Sequence, residues 1–380
     1  MQMKTRLMFL SDGEMMVYED GAVRRLHSER KALYIRTARN LEERNAWKYE
    51  GAGAKFQHQQ NPYEHRSRTA ETACQVRAAA PWNGQLLYAL TTPEMGGLYL
   101  KDMTDDAAPE SNWLSDREFR PVDMHVRGNT VVLALESALG ECHIASMQAE
   151  SARYQVITQG DTQDGAPFLC RDGRTVYCAS AGWARNENGL PIAKGPSAVL
   201  RIDLQTGDLD EIAAADAYDY LRPKEAPDGT LYVIRRPYQS GAPKRLSLGD
   251  RAKNIGAAFK GLGMLLRFIG DPEGAAKRTP RVAGQSAKDA QKRMFEGILV
   301  DISRGGEMDN ADEGCIPADW VLMRRTVDGH FEEVHKGVAD YDFDGDALVY
   351  TDGRRIIRLE GGKREVLHKA VFIPRVVVCR

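Results

Sequence analysis

The chain contains no Cys-x-x-Cys pair, no His-Glu-x-x-His, no Gly-x-x-x-x-Gly-Lys-Ser/Thr and no Gly-x-Ser-x-Gly. These absences remove thioredoxin-like redox chemistry, zincin-type metalloproteolysis, P-loop nucleotide hydrolysis and the nucleophile elbow of α/β-hydrolases. Long apolar runs are missing too. No segment approaches the roughly 18 uninterrupted apolar residues of a membrane span. The apolar stretch within Met1 to Leu10 is only Leu7 to Leu10, too short for the core of a signal peptide. Charge of one sign is also lacking: a formal net charge of −2 over 380 residues leaves no general electrostatic footprint for nucleic acid. The six cysteines, Cys74, Cys142, Cys170, Cys178, Cys315 and Cys379, are scattered, and four lie in or beside apolar runs. With nothing exporting the chain, they read as free buried thiols of a cytoplasmic protein.

What the sequence does have is a repeat. Pro227-Asp228-Gly229-Thr230-Leu231-Tyr232-Val233-Ile234 is a turn followed by a buried strand. Copies begin at Asn83-Gly84, Gly128-Asn129, Asp172-Gly173 and Asp344-Gly345, with a weaker one at Asp12-Gly13. Successive glycines from Gly84 through Gly128 and Gly173 to Gly229 are 44, 45 and 56 residues apart. A period in the forties with several short strands per unit is the mark of a propeller blade. Complete units fall at about 74 to 120, 121 to 160, 161 to 216, 217 to 337 and 338 to 370. The ends complete each other: Val371 to Val378 reads as an inner strand without a blade, and Arg6 to Leu26 as three outer strands without an inner one. The expectation is an all-β, six-bladed β-propeller in one domain over 1–380, closed by pairing of the N- and C-terminal strands.

Two regions leave the repeat. Residues 28–73 read as a helix, Ser28 to Trp47, followed by a polar loop, Gln57 to Thr72, between the closing blade and the next. Residues 240–319 form a largely helical insertion within the fifth blade, although Gly297 to Ile302 can make a strand. In this insertion Ile255, Phe259, Leu262, Leu266 and Ile269 fall on one stripe at helical spacing, with Lys260 and Arg267 elsewhere on the helix. From Ser240 to Gly297 there are 12 Lys and Arg against 5 Asp and Glu, so this stretch is +7 and the rest −9. A basic amphipathic helix on an exposed insertion suits a protein partner's groove or an anionic membrane surface, against the plainer reading that it packs on the ring itself.

The Asp-Gly-x-x-Val/Leu-Tyr copies, each after an inner strand, resemble the repeats of six-bladed propellers of the TolB-like and dipeptidyl-peptidase-propeller-like type, as a bacterial member with its own insertion. The resemblance implies the fold and little more. Propeller peptidases add a hydrolase domain with Gly-x-Ser-x-Gly, and here Cys178-Ala179-Ser180-Ala181-Gly182 lacks the first glycine.

Polar residues on inner strands of a propeller reach the central channel or its rims. That places Trp82, Asp123, His125, Lys224, Asp340, Asp342 and Arg375 as channel or ligand-binding candidates. Asp340, Asp342, Asp344 and Asp346 alternate like calcium ligands, yet the twelfth position holds Thr351 where a bidentate Glu is needed. The expectation is no cofactor, with Ca²⁺ as the lesser alternative. The leading functional expectation is a non-enzymatic scaffold that binds a protein partner, or a membrane surface, through the insertion. The alternative is a small-molecule enzyme or sensor, with or without a divalent metal, at the channel mouth.

Overall fold

In a computed structural model the structure describes residues 5–49, 62–137, 140–148, 151–187, 191–239, 292–302 and 314–379. The chain opens with β1 (Arg6–Ser11), β2 (Glu14–Glu19), β3 (Ala22–Leu26) and helix α1 (Glu29–Tyr49), then helix α2 (Pro62–Ala73). Next come β4 (Gln75–Trp82), β5 (Gln85–Thr91), β6 (Gly96–Asp102), β7 (Ser111–Asp116), β8 (Pro121–Arg127), β9 (Thr130–Glu136), β10 (Cys142–Gln148) and β11 (Tyr154–Val156). The middle holds β12 (Thr162–Leu169), β13 (Thr175–Arg185), β14 (Pro191–Lys194), β15 (Ala198–Asp203), β16 (Leu209–Ala213), β17 (Tyr218–Glu225) and β18 (Leu231–Pro237). The last part holds β19 (Lys292–Phe295), β20 (Ile298–Asp301), β21 (Val321–Arg325), β22 (Phe331–Lys336), β23 (Asp340–Asp344), β24 (Ala347–Thr351), β25 (Gly353–Glu360), β26 (Lys363–Ile373) and β27 (Arg375–Val378).

The strands pair as antiparallel meanders. Four sheets are separate four-stranded units, β27-β1-β2-β3, β4-β5-β6-β7, β17-β18-β21-β22 and β23-β24-β25-β26. Two further meanders, β8 to β11 and β12-β13-β15-β16, are fused, with the short β14 beside β13, into one nine-stranded sheet. A single parallel pairing, Cys142 with Gln163, makes that join. Arg185 at the end of the long β13 clamps it, pairing with Asp161 at 2.6 Å and with Glu141. The meanders follow one another around a β-propeller.

The recurrent Asp-Gly turn has a local cause. Asp172 Oδ1 accepts the amides of Arg174 at 2.9 Å and Thr175 at 2.8 Å, and the backbone at Gly173 (φ 66°) enters the left-handed region that glycine adopts without a Cβ clash. Asp228 does the same for Thr230, beside Gly229 at φ 86°.

The termini pair as expected: β1 runs antiparallel to β27, with Phe9 opposite Val376 and Met8 opposite Val377. Leu7, Phe9, Ile356, Ile373 and Val376 are fully buried in the seam between this sheet and the β23–β26 meander. Phe9 also lies on the His368 ring, with centroids 5.2 Å apart. Helix α1 is capped by Ser28, whose Oγ accepts the Lys31 amide at 3.1 Å. Glu110 accepts the amides of Glu29 and Arg30, and its Oε2 takes the Tyr88 hydroxyl at 2.8 Å, docking the helix start on the β4–β7 sheet.

One expectation needs correction. The polar stretch taken as a loop forms α2 over Pro62–Ala73: proline suits the first helical turn, and Ala70, fully buried, with the Arg39–Glu71 ion pair at 3.0 Å, ties α2 into the fold next to α1. Within the insertion residues 292–302 form a hairpin, β19–β20, turning at Glu296-Gly297 with φ of 48° and 78°, where the sequence allows a strand over Gly297 to Ile302. The stripe Ile255, Phe259, Leu262, Leu266, Ile269, with Lys260 and Arg267, lies outside the described residues. Among the described residues no helix is long and apolar enough to cross a membrane.

Phe9→Ala should lower unfolding stability by about 3–5 kcal/mol, because a fully buried aromatic is lost at the seam that closes the fold. Urea denaturation checks this, and a change under 1 kcal/mol would show that the terminal pairing contributes little.

Candidate functional site: the mouth of the central channel

A cavity of ≈ 350 Å³ opens where the inner strands converge. Asp123 and His125 come from β8, Phe168 from β12, Arg222 and Lys224 from β17, Asp340 and Asp342 from β23, and Arg375 from β27, with Ala78 to Ala80 of β4 as its small-residue wall. Several of these side chains are delivered by breaks in strand register. β17 slips between Leu221 and Lys224, around Arg222-Pro223, and β12 slips between Gly165 and Phe168, around Ala166-Pro167. Arg222 (φ 52°) and Ala166 (φ 47°) occupy the same left-handed backbone at equivalent places.

Six of the seven sequence candidates line this cavity: Asp123, His125, Lys224, Asp340, Asp342 and Arg375. Trp82 does not. Its indole donates to Gly128 O at 3.0 Å and stacks on Trp113, with centroids 4.9 Å apart, bridging two adjacent blades.

The candidates sort by what they touch. One group satisfies the unpaired edge of the neighbouring inner strand. Asp340 Oδ2 accepts the Val376 amide at 3.1 Å, and Asp342 Oδ2 accepts the Val378 amide at 2.8 Å. His125 Nδ1 accepts the Leu169 amide at 3.1 Å, while its ring lies 4.3 Å from that of Phe168. Lys224 donates to Tyr341 O and sits 3.2 Å from Asp340 Oδ1, and the Tyr341 hydroxyl donates to Arg222 O at 2.7 Å. Asp344 further along β23 takes the Thr5 hydroxyl at 2.9 Å. The alternating aspartates thus have separate partners, and among the described residues no three His, Cys, Asp or Glu side chains gather around one point suited to a metal.

The second group is charged side chains meeting one another. Arg375 Nη1 lies 3.0 Å from Asp123 Oδ2, and Arg222 Nη1 lies 3.4 Å from the same oxygen. Both guanidinium groups also reach Glu296 Oε1 at the tip of the β19–β20 hairpin, Arg375 at 3.4 Å and Arg222 closer. Phe295 anchors that tip against Trp320 and Phe372, with ring centroids 5.7 and 5.6 Å apart.

Burial raises the Asp123 pKa despite Arg222 and Lys224. Burial also opposes the charge on Arg222, but Glu296, Asp340 and Asp123 outweigh it and shift that pKa upward. Burial, with Arg127 and Lys224, pushes His125 down to about 3, so it is a neutral acceptor at physiological pH. Inner-strand alternation foretold the Asp, His and Lys positions. Arg222 and Glu296 were missed; the signals for them are a proline inside an inner strand, which marks a bulge, and a two-residue Glu-Gly turn between alternating strands.

Neither a protein-family model nor a curated protein matches this chain. Solved structures similar to it include TolB from Acinetobacter baumannii, at 9% identity and a TM-score of 0.49, over 99% of this chain and 66% of that one. The tricorn protease aligns over 98% of this chain and 34% of its own length, at 12% identity and a TM-score of 0.44. A puromycin-hydrolyzing peptidase of Mycobacterium tuberculosis aligns over 78% of this chain and 54% of its own, at 10% identity and a TM-score of 0.37. The chain therefore spans just under two-thirds of that TolB and about a third of the tricorn protease.

His125 gives a pH signature. Its native pKa, about 3, lies below the ordinary 6.5, so the unfolded chain takes the proton first. Its share of stability is full above pH 6.5 and drains as pH falls toward 3. Between pH 7 and 4.5 the wild type should lose on the order of 2 kcal/mol more than His125→Gln, read by urea denaturation. Parallel losses would contradict the assignment.

Proposed function

We propose that this protein is a non-enzymatic recognition propeller of six blades, the nine-stranded sheet counting as two, that binds its ligand or protein partner at the mouth of the central channel. The observation that carries this is the ion cluster Asp123, Arg222, Arg375 and Glu296, which joins three inner strands to the insertion. A buried ion cluster contributes little net stability against an apolar replacement, so stability alone is a weak reason for its presence. That three of its members, Asp123, Arg222 and Arg375, line a cavity of a size suited to a small ligand or a peptide end is a better one. The insertion supports the recognition reading because its tip residue Glu296 pairs with Arg222 and Arg375, which line that cavity.

Binding is favoured over catalysis by what the acid–base groups are doing. His125 is neutral and accepts a strand amide, and Asp340 and Asp342 accept amides of β27. A general base must be free to take a proton from substrate, and these groups are occupied in holding strand edges. The cytoplasm remains the proposed compartment, consistent with six free cysteines, of which burial raises the pKa of Cys74 and Cys315 to about 11.

A thermal-shift panel of small acids, amines, zwitterions and short peptides at millimolar concentration tests the reading. A compound at about 100 times its Kd should add about 2.7 kcal/mol to the wild type, and that gain should vanish in Arg375→Ala. No shift from any compound, or shifts that survive in Arg375→Ala, would overturn the channel-mouth assignment.

A further inference from the structure

In the second group of site residues, two guanidinium groups draw one of their two carboxylate partners from the insertion. With Glu296 in place, two carboxylates meet two guanidinium groups, and every charge has a counterion. Without it, Asp123 is the one carboxylate left within ion-pair distance of Arg222 and Arg375 among the described residues, and the Arg222 side chain is only 6% exposed. Two desolvated guanidinium groups on one carboxylate are left with unused donors, so the pair has room for a second carboxylate. Arg222 Nε has no hydrogen-bond partner even with Glu296 present.

The source of that second carboxylate sets it apart from the others. Asp123 belongs to an inner strand of the ring. Glu296 instead sits at the tip of a two-stranded hairpin, with its side chain 26% exposed. A two-stranded hairpin is marginal by itself; here Phe295, Val300 and Ile302 anchor it in the core cluster that includes Trp320 and Phe372, while Glu296 at the tip is held by the two arginines.

We propose that Glu296 is a built-in competitor at a carboxylate-binding site: the channel mouth takes a carboxylate-bearing ligand through Arg222 and Arg375, and that ligand displaces the hairpin tip. This rests on the channel-mouth reading and names its ligand class. Two planar forks converging on one oxygen suit a carboxylate, and the ≈ 350 Å³ cavity that both arginines line receives the group attached to it. The carboxylate can come from a small organic acid or from the free C-terminus of a polypeptide. A tethered competitor weakens binding of any free ligand by its effective local concentration, so removing it strengthens binding without any new contact.

Calorimetric titration of glutarate, of N-acetyl-Gly-Gly as the free acid and of its C-terminal amide tests this on the full chain. Glu296→Ala should bind at least one of the two free acids roughly tenfold or more tighter than wild type, and the amide should gain nothing. Gain by glutarate alone assigns a small acid; gain by the peptide acid assigns a polypeptide end. Adding Arg375→Ala to Glu296→Ala should abolish the gain. Glu296→Gln keeps the side-chain volume and replaces Glu296→Ala if the latter fails to fold. Equal affinities in wild type and the Glu296 variant, or an equal gain for the amide, overturn the proposal. If panel compounds still require Arg375 in that case, the channel-mouth reading survives; if nothing binds either protein, both fall.

Discussion

The free inner edge of each blade is the constraint on which the rest of the structure depends. A meander's first strand pairs on one side only, and the amides and carbonyls on its other side face the channel, where leaving them unpaired is costly. Here the neighbouring blade supplies the partners. Asp340 and Asp342 take the amides of Val376 and Val378, His125 takes that of Leu169, and Arg127 Nε donates to Leu169 O at 3.0 Å. Further out Glu225 accepts the Arg171 amide at 3.0 Å. Polar side chains at alternate inner-strand positions are therefore part of what holds successive blades in register, and their presence in the channel is first a structural requirement.

That requirement separates structure from recognition. Once the edge-satisfying residues are set aside, what remains at the mouth is Asp123, Arg222, Arg375 and Glu296, which address one another. Three come from strands that the ring fixes and one from a hairpin tip. A pair of cations fixed by the ring and facing a carboxylate from a hairpin tip is the physical basis of the exchange proposed for this site. The closing pairing is a precondition, because Arg375 reaches Asp123 only when β27 lies against β1.

The fold was legible because its signals are local and repeated. Asp-Gly turns announce themselves by side-chain capping and left-handed backbone, and alternating apolar strands follow each turn. The terminal pairing was legible for a different reason, an inner strand at one end and a set of outer strands lacking one at the other. Helix α2 was missed because its sequence is polar at nearly every position, and its place comes from the burial of Ala70 and the Arg39–Glu71 pair to α1, which no periodicity encodes. For the site, alternation placed six residues in the cavity but could not divide edge partners from the free-standing ion cluster. That division depends on which neighbour each side chain meets across a blade boundary. Arg222 escaped because a bulge breaks the alternation, and Glu296 because it enters from about 70 residues away in sequence from Arg222.

Hydrogen exchange at the Val376 and Val378 amides tests the central claim most directly. Neither amide points at a strand partner; each is held by an aspartate of the next blade. Both should exchange only with global unfolding, as slowly as amides in the middle of β1, and Asp342→Ala should release Val378 selectively. Exchange at the rate of an exposed strand edge in the wild type would contradict the account.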